Sequence, residues 1–342
     1  MTTTNLKQNK HPNDIQQDSQ DTLLRVNDIK KWFPYNDGII IKNKKHIKAV
    51  DGISFTLNKG QTLGIVGESG SGKSTLGRSL IRLIDPTSGE VYFNDTNILS
   101  LKKEQLRNMR KQVQMVFQDP YATLNPRMRI GAILSEPLKL HKLVKGKSKR
   151  AERVGELLEL VGVNAEFKDR YPHELSGGQR QRISIARALA VSPELIVFDE
   201  AVSALDVSIQ AQVLNLIQRL QKELNLTYIF ISHDLSVVKH ISSHIGVMYL
   251  GKIVEYGSKE DIFEDPQHPY TKSLLSAVPS TGKQDKKERI VLKGDIPSPS
   301  DIPSGCRFRT RCYMAEEICA QKEPDFIETS PGHQSACLFI KE

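Results

Sequence analysis

An α/β fold is predicted by three observations. QTLGIVG (residues 61–67), LIVFDE (195–200) and TYIFISH (227–233) are short apolar runs, the later two of the kind expected for buried parallel strands. The first leads through a glycine-rich loop into KSTLGRSLIRLI (73–84), where Leu76, Leu80 and Leu83 recur at helical spacing before Asp85-Pro86 ends the pattern. The two later runs flank AQVLNLIQRLQKELN (211–225), which reads as an amphipathic helix. Strand, loop and helix in that order begin an α/β unit.

The other elements follow along the chain. Residues 1–21 are polar with almost no aliphatics and are expected to form a disordered tail. LLRVNDIKKWF from Leu23 and HIKAVDGISFTL from His46 read as strands across a basic Gly/Asn/Lys loop around residues 35–45. A helical stretch is expected from about 100 to 190, and IGVMYLGKIVEYG (245–257) as a hairpin turning at Gly251-Lys252. STGKQDKKE (280–288) is a charged linker, and the Pro/Ser-rich segment from PSPSDIPSG onward is too small to hold a core without a staple. No internal repeat is visible.

Composition bounds the function. At 342 residues the chain suits one large domain plus an accessory one, and 26% charged with 38% hydrophobic residues excludes wholesale disorder. No run approaches the roughly 18 apolar residues of a membrane span, and the N-terminus has no apolar signal core, so a cytosolic protein is expected. Lys plus Arg exceed Asp plus Glu by 48 − 40 = 8, which admits nucleic acid, anionic lipid or a phosphorylated ligand as partner, or merely a solubilising surface. All four cysteines (Cys306, Cys312, Cys319, Cys337) lie in the last 37 residues; in a reducing compartment such a cluster points to metal ligation rather than disulfides.

The sharpest signal is Gly67-Glu68-Ser69-Gly70-Ser71-Gly72-Lys73-Ser74, with Thr75 behind it. It is a G-x-x-x-x-G-K-S loop between strand and helix, the context of a phosphate-binding loop. Glycines let backbone N–H groups turn inward onto phosphate oxygens, and the helix N-terminus adds its positive dipole end. Lys73 supplies a charge for β- and γ-phosphates, and the Ser74 hydroxyl suits Mg²⁺. At the end of LIVFDE, Asp199 can hold the ion's water shell and Glu200 can deprotonate an attacking water. Alone, Asp-Glu after a strand is more often a helix cap; paired with the loop, it reads as catalytic.

A second glycine loop opens a second helix at Leu175-Ser176-Gly177-Gly178-Gln179, followed by RQRISIARAL. With it the chain resembles the ABC-type ATPases. The resemblance implies a RecA-like core with antiparallel β and helical subdomains, the latter at about 119–184, and a small Cys-containing C-terminal extension. Gln118 in VFQDP matches the loop that senses Mg²⁺ and the attacking water, which makes Ser74, Gln118 and Asp199 the expected Mg²⁺ set. Ser203-Ala204-Leu205-Asp206 matches the D-loop, and His233 in FISHDL the switch histidine that contacts the γ-phosphate. Phe33, or its neighbour Trp32, is the aromatic expected to stack on adenine. ATPases of this kind work as head-to-tail dimers, with ATP between the phosphate loop of one subunit and Ser176–Gln179 of the other.

Finer resemblance covers residues 23–342. FQDPYATLNPRMRIG, DEAVSALDVSIQAQVLNL and DPQHPYTKSLL are similar to ATPase subunits of oligopeptide/dipeptide importers, and to the second, F-type subunit of the pair. His268-Pro269-Tyr270 opens the group's C-terminal extension, so residues 22–260 are expected as the ATP-binding domain and 261–342 as the extension. The resemblance implies a sister ABC ATPase, two transmembrane permeases, an extracytoplasmic substrate-binding protein, a place on the cytoplasmic face of the membrane, and no nucleic acid. Tyr121, Leu124, Pro126 and Met128 are candidates for permease contact, or equally packing residues. It also implies a [4Fe–4S] cluster on the C-x5-C-x6-C-x17-C cysteines, with zinc or unligated thiols as alternatives. Nickel, metallophore or another small solute is an alternative cargo. A soluble ABC ATPase acting on nucleic acid or ribosomes would require a long coiled-coil insertion or a second cassette, and the sequence has neither.

Overall fold

Residues 21–35, 45–278 and 289–340 are described by the computed structural model of the chain. The N-terminal tail before residue 21, the heart of the basic loop and the charged linker lie outside the described residues. Twelve strands are formed among the described residues. β1 (Thr22–Tyr35), β2 (Lys45–Asn58), β4 (Ser88–Phe93) and β5 (Thr96–Asn97) make an antiparallel sheet in the order β2-β1-β4-β5. β3 (Thr62–Val66), β6 (Val113–Val116), β7 (Leu195–Asp199), β8 (Thr227–Ile231), β9 (His244–Tyr249), β10 (Lys252–Ser258), β11 (Ile327–Ser330) and β12 (His333–Ser335) make a second sheet, ordered β11-β12-β10-β9-β3-β8-β7-β6. Its centre is parallel, with Asp199 and Ile65 both level with Ile231, and Val116 level with Phe198.

Period-two alternation divides each central strand between two cores. Leu195 and Val197 of β7, with Ile229 and Ile231 of β8, face the helix Lys73–Leu80 and the antiparallel sheet. Ile196 and Phe198, with Tyr228 and Phe230, face the helices Gly177–Leu189 and Val207–Leu224. Each strand is therefore apolar throughout, which is why the runs are uninterrupted in sequence. Among the described residues no helix is long and apolar enough to cross a membrane.

Three local expectations are revised. The stretch 100–190 is not all helix: β6 interrupts it, pairing in parallel with β7 as the last strand of the sheet. The helix after the phosphate loop ends at Leu80, leaving Leu83 exposed. The hairpin turns at Leu250-Gly251, one residue earlier than expected, with φ of 41° and 85°. A two-residue turn between twisted strands requires left-handed backbone at both positions, and Leu250 accepts it beside a glycine.

The C-terminal segment is stapled by packing rather than by metal. β12 extends the sheet by pairing with β10, Glu255 opposite Ser335. Phe308 is buried against Tyr270 and Tyr249, the latter edge-on at 5.3 Å. Glu255, fully buried, accepts the Gln267 N–H at 2.6 Å and the His268 N–H at 3.0 Å, and meets His333 Nε2 at 2.8 Å. The iron–sulfur expectation is corrected. Cys306, Cys312, Cys319 and Cys337 are free thiols, and among the described residues no group of three or more His, Cys, Asp or Glu is placed to hold a metal ion. Burial raises Cys306 to about 11 and raises Cys312 and Cys337 as well, each pushed further by its sulfur neighbours. The cysteines serve as packing: Cys319 is buried and its carbonyl accepts the Cys306 N–H at 2.8 Å.

His268 makes this packing acid-sensitive. Its Nδ1 accepts the Tyr270 N–H, and burial pulls its pKa down to about 4, against Glu255, with Lys272 lowering it further. Because the folded value lies below the ordinary 6.5, the unfolded chain binds the proton first, so this contribution is full above about pH 6.5 and fades towards pH 4. His333, raised by its bond to Glu255, runs the other way and loses its contribution as pH rises. Between pH 7 and pH 5 the native chain should lose about 2 kcal/mol relative to His268→Asn, which keeps a helix-capping oxygen without the titration. Urea unfolding at the two pH values measures this, and parallel losses in both proteins would refute it.

Candidate active site

The phosphate loop begins where β3 stops. Gly72 caps the helix Lys73–Leu80 with φ of 104°, and a Cβ there would strike the Ala49 carbonyl, so β2 runs directly against the loop. Lys73 is buried, and its ammonium donates to the Gly67 carbonyl at 2.7 Å and the Glu68 carbonyl at 2.9 Å. Burial lowers its pKa, opposed by Glu200, Asp199 and Glu68. A cleft of about 350 Å³ opens over Ser69, Gly70, Gly72, Lys73, Ser74 and Thr75, with Gln118 and Glu200 across from them. Gly67 and Ser71 form the floor around the lysine, Ser71 Oγ lying 3.5 Å from its nitrogen.

The acidic half of the site follows the neighbouring strands. Asp199 closes β7, 2% exposed, and accepts the Ser74 hydroxyl at 2.6 Å, with Arg78 at 3.3 Å from its other oxygen. Glu200 has a left-handed φ of 50° and donates its N–H to Ile231 of β8. The turn aims its carboxylate between Gln118, donating at 3.1 Å, and His233, whose Nδ1 lies at 3.4 Å. Ser203 donates to the Glu200 carbonyl at 2.9 Å and tethers the following turn. A carboxylate so held can take a proton from a water entering the cleft. Ser74, Asp199 and Gln118 carry hard oxygen atoms of the kind Mg²⁺ takes, and the Ser74 hydroxyl and the Asp199 carboxylate are already in contact.

Other predicted residues stand apart from this cleft. Ser176 and Gln179 form a reciprocal cap on the helix Gly177–Leu189, and a Cβ on Gly178 would strike Ile209. Asp206 caps the helix Val207–Leu224, accepting the Ile209 N–H at 3.1 Å. Those bonds hold its carboxyl below the usual range. Neither Phe33 nor Trp32 lines the cleft. Trp32 donates its indole N–H to Asp51 at 2.9 Å under the Lys48 ammonium, whereas Phe33 pairs with Ile47, which does line it. Of the candidates for permease contact, Leu124 is core and Met128 half-buried, while Pro126 and Tyr121 are exposed, Arg180 stacking on the Tyr121 ring at 3.6 Å. Sequence reasoning missed the contributions of the C-terminal segment. Pro299 lines the cleft, Tyr270 Oη accepts the Glu68 N–H, and Arg311 pairs with the Glu68 carboxylate. Only Tyr270 carried a signal, in His-Pro-Tyr.

Comparison with known proteins agrees with this geometry. Residues 50–203 match the family described as ABC transporter, and residues 254–319 the one described as oligopeptide/dipeptide transporter, C-terminal region. The oligopeptide transport ATP-binding protein AppF of Bacillus subtilis is 56% identical over 93% of this chain and 98% of its own length. The dipeptide transport ATP-binding protein DppF of Haemophilus influenzae is 51% identical over 93% and 97%. Among solved structures, the dimeric post-hydrolysis state of the ATP-binding cassette MJ0796 bound to ADP and Pi superposes with a TM-score of 0.62 at 27% identity, over 69% of this chain and 99% of that one. The cbiO1 subunit from Clostridium perfringens gives the same TM-score over 72% and 92%. This chain belongs to the ABC transporter family, among its oligopeptide and dipeptide transport ATP-binding proteins.

Proposed function

We propose that the chain is the ATP-hydrolysing subunit of a membrane importer for oligopeptides or dipeptides. The observation that carries the ATPase reading is the convergence of Lys73, the Ser74–Asp199 pair and the Gln118–Glu200–His233 group at the ends of adjacent strands. The names borne by AppF and DppF, at 56% and 51% identity, carry the cargo reading.

ATP is the substrate. Its triphosphate lies along the N–H groups of Gly67–Thr75, and Lys73 exchanges the Gly67 and Glu68 carbonyls for β- and γ-phosphate oxygens. Ser74, Gln118 and Asp199 would hold Mg²⁺, which when bound neutralises charge on the β- and γ-phosphates. Glu200 takes the proton of the attacking water, Gln118 orients that water, and His233 reaches the γ-phosphate. Phe33, which does not itself line the cleft but pairs with Ile47, which does, is the aromatic assigned to adenine.

Ser176, Gly177, Gly178, Gln179 and Asp206 do not line this cleft and serve the site of a second subunit. The dimeric state of the cassette MJ0796 supports that reading. The second subunit is a sister ABC ATPase, so the pair is a heterodimer. Two permeases and an extracytoplasmic substrate-binding protein complete the importer, with this chain on the cytoplasmic face. Tyr121 and Pro126 are the exposed residues left to meet a permease. Residues 22–260 act as the ATP-binding domain and 261–342 as its extension.

Replacing the base tests the chemistry. Glu200→Gln should bind ATP as well as the native chain while turnover drops by about 10²–10⁴-fold. Near-normal turnover would remove Glu200 from that role. A tagged pull-down from detergent-solubilised membranes tests the importer. Two multi-spanning proteins and a second ATPase with its own LSGGQ loop should co-purify; ribosomal or DNA-repair proteins in their place would exclude transport.

A further inference from the structure

The phosphate loop carries a carboxylate of its own. Glu68 sits immediately after Gly67, where a free negative charge would oppose a triphosphate. Its charge is met from 243 residues away. Arg311, its side chain 8% exposed, places one guanidinium nitrogen 2.5 Å from Oε2 and the other 3.1 Å from Oε1, a two-pronged pair. The Glu68 backbone is held too, since its N–H donates to Tyr270 Oη at 3.0 Å. The carbonyls on either side of that residue's N–H and Cα, those of Gly67 and Glu68, are the acceptors of the Lys73 ammonium.

The turn that delivers Arg311 is anchored on the far side of the same loop. Arg307 donates to the Leu250 carbonyl at 2.5 Å and pairs with Asp51. Gly251, the next residue of that hairpin turn, donates its N–H to the Ser71 carbonyl at 2.9 Å. Phe308, between the two arginines, fills the aromatic cluster of Tyr249 and Tyr270. The segment between Cys306 and Cys312 thus reaches the phosphate loop at Glu68 directly and at Ser71 through the hairpin.

We propose that Arg311 is a positioning residue of the ATP site: by neutralising and fixing Glu68, the C-terminal segment sets the loop carbonyls that hold Lys73 and so tunes ATP affinity. The inference rests on the reading of residues 67–75 as the ATP site. Arg311 acts through Glu68 and touches no reacting atom, so its loss weakens nucleotide binding more than turnover.

The test uses the full chain in its membrane assembly, with ATP as the probe and four readouts: ATP dissociation constant, KM, kcat and thermal midpoint. Arg311→Ala should raise the dissociation constant and KM about tenfold while kcat at saturating ATP holds, whatever the loss of the pair does to the thermal midpoint. Arg311→Lys, which keeps the charge without the fork, should recover part of that loss. With Glu68→Ala already present, Arg311→Ala should add little, because the charge it neutralises is gone. An unchanged KM, a full effect in the Glu68→Ala background, or a fall confined to thermal midpoint and kcat would each overturn the proposal. Failure of the native assembly itself to bind ATP would instead overturn the reading of residues 67–75, and this proposal with it.

Discussion

The register of four parallel strands governs the site. β3, β8, β7 and β6 lie side by side with their C-terminal ends on one edge, Asp199 and Ile65 level with Ile231, and Val116 level with Phe198. Each group proposed for the chemistry lies at that edge or starts within two residues of it: the loop from Gly67, His233 after β8, Asp199 and Glu200 at β7, Gln118 after β6. In an open parallel sheet that edge is where helices and loops diverge and leave a crevice. A one-residue slip of β7 would turn Asp199 away from Ser74 and exchange Ile196 and Phe198 with Leu195 and Val197 between the two cores. Dividing the hydrophobic side chains between two cores is what keeps the acid opposite the hydroxyl.

Legibility in the sequence followed locality. The loop Gly67–Thr75 is contiguous, so its glycines, lysine and hydroxyl announce themselves, and Asp199 with Glu200 ends an apolar run that fits a buried strand. β6 escaped because VQMV is four residues between a charged helix and Gln118, and so short an apolar run does not separate strand from helix. β11 and β12 escaped because IETS and HQS have no apolar alternation; backbone pairing with β10 and the buried His333–Glu255 contact hold them instead. Leu124 and Tyr121 are separated by two residues and have opposite fates, one core and one surface, which only tertiary packing decides.

The C-terminal segment carries the same lesson for chemistry. Its cysteines drew attention as potential ligands, yet the side chain among them that reaches the phosphate loop is Arg311. An arginine paired across 243 residues leaves no mark in spacing or composition. The bond is explicable only from the loop's side, where a glutamate in an anion-binding turn calls for a counter-charge.

The pairing of β12 with β10 also imposes an order of events during synthesis. Glu255, fully buried in the finished protein, leaves the ribosome 78 residues ahead of His333, the group that meets its Oε1. Until that late strand arrives, β10 is an open sheet edge carrying a half-satisfied carboxylate, while the remainder of the parallel sheet already has its partners in hand. The nascent chain can therefore assemble its nucleotide-binding core while β10 is still uncovered, and the strand that covers this edge and completes the Glu255 pairing follows 78 residues behind.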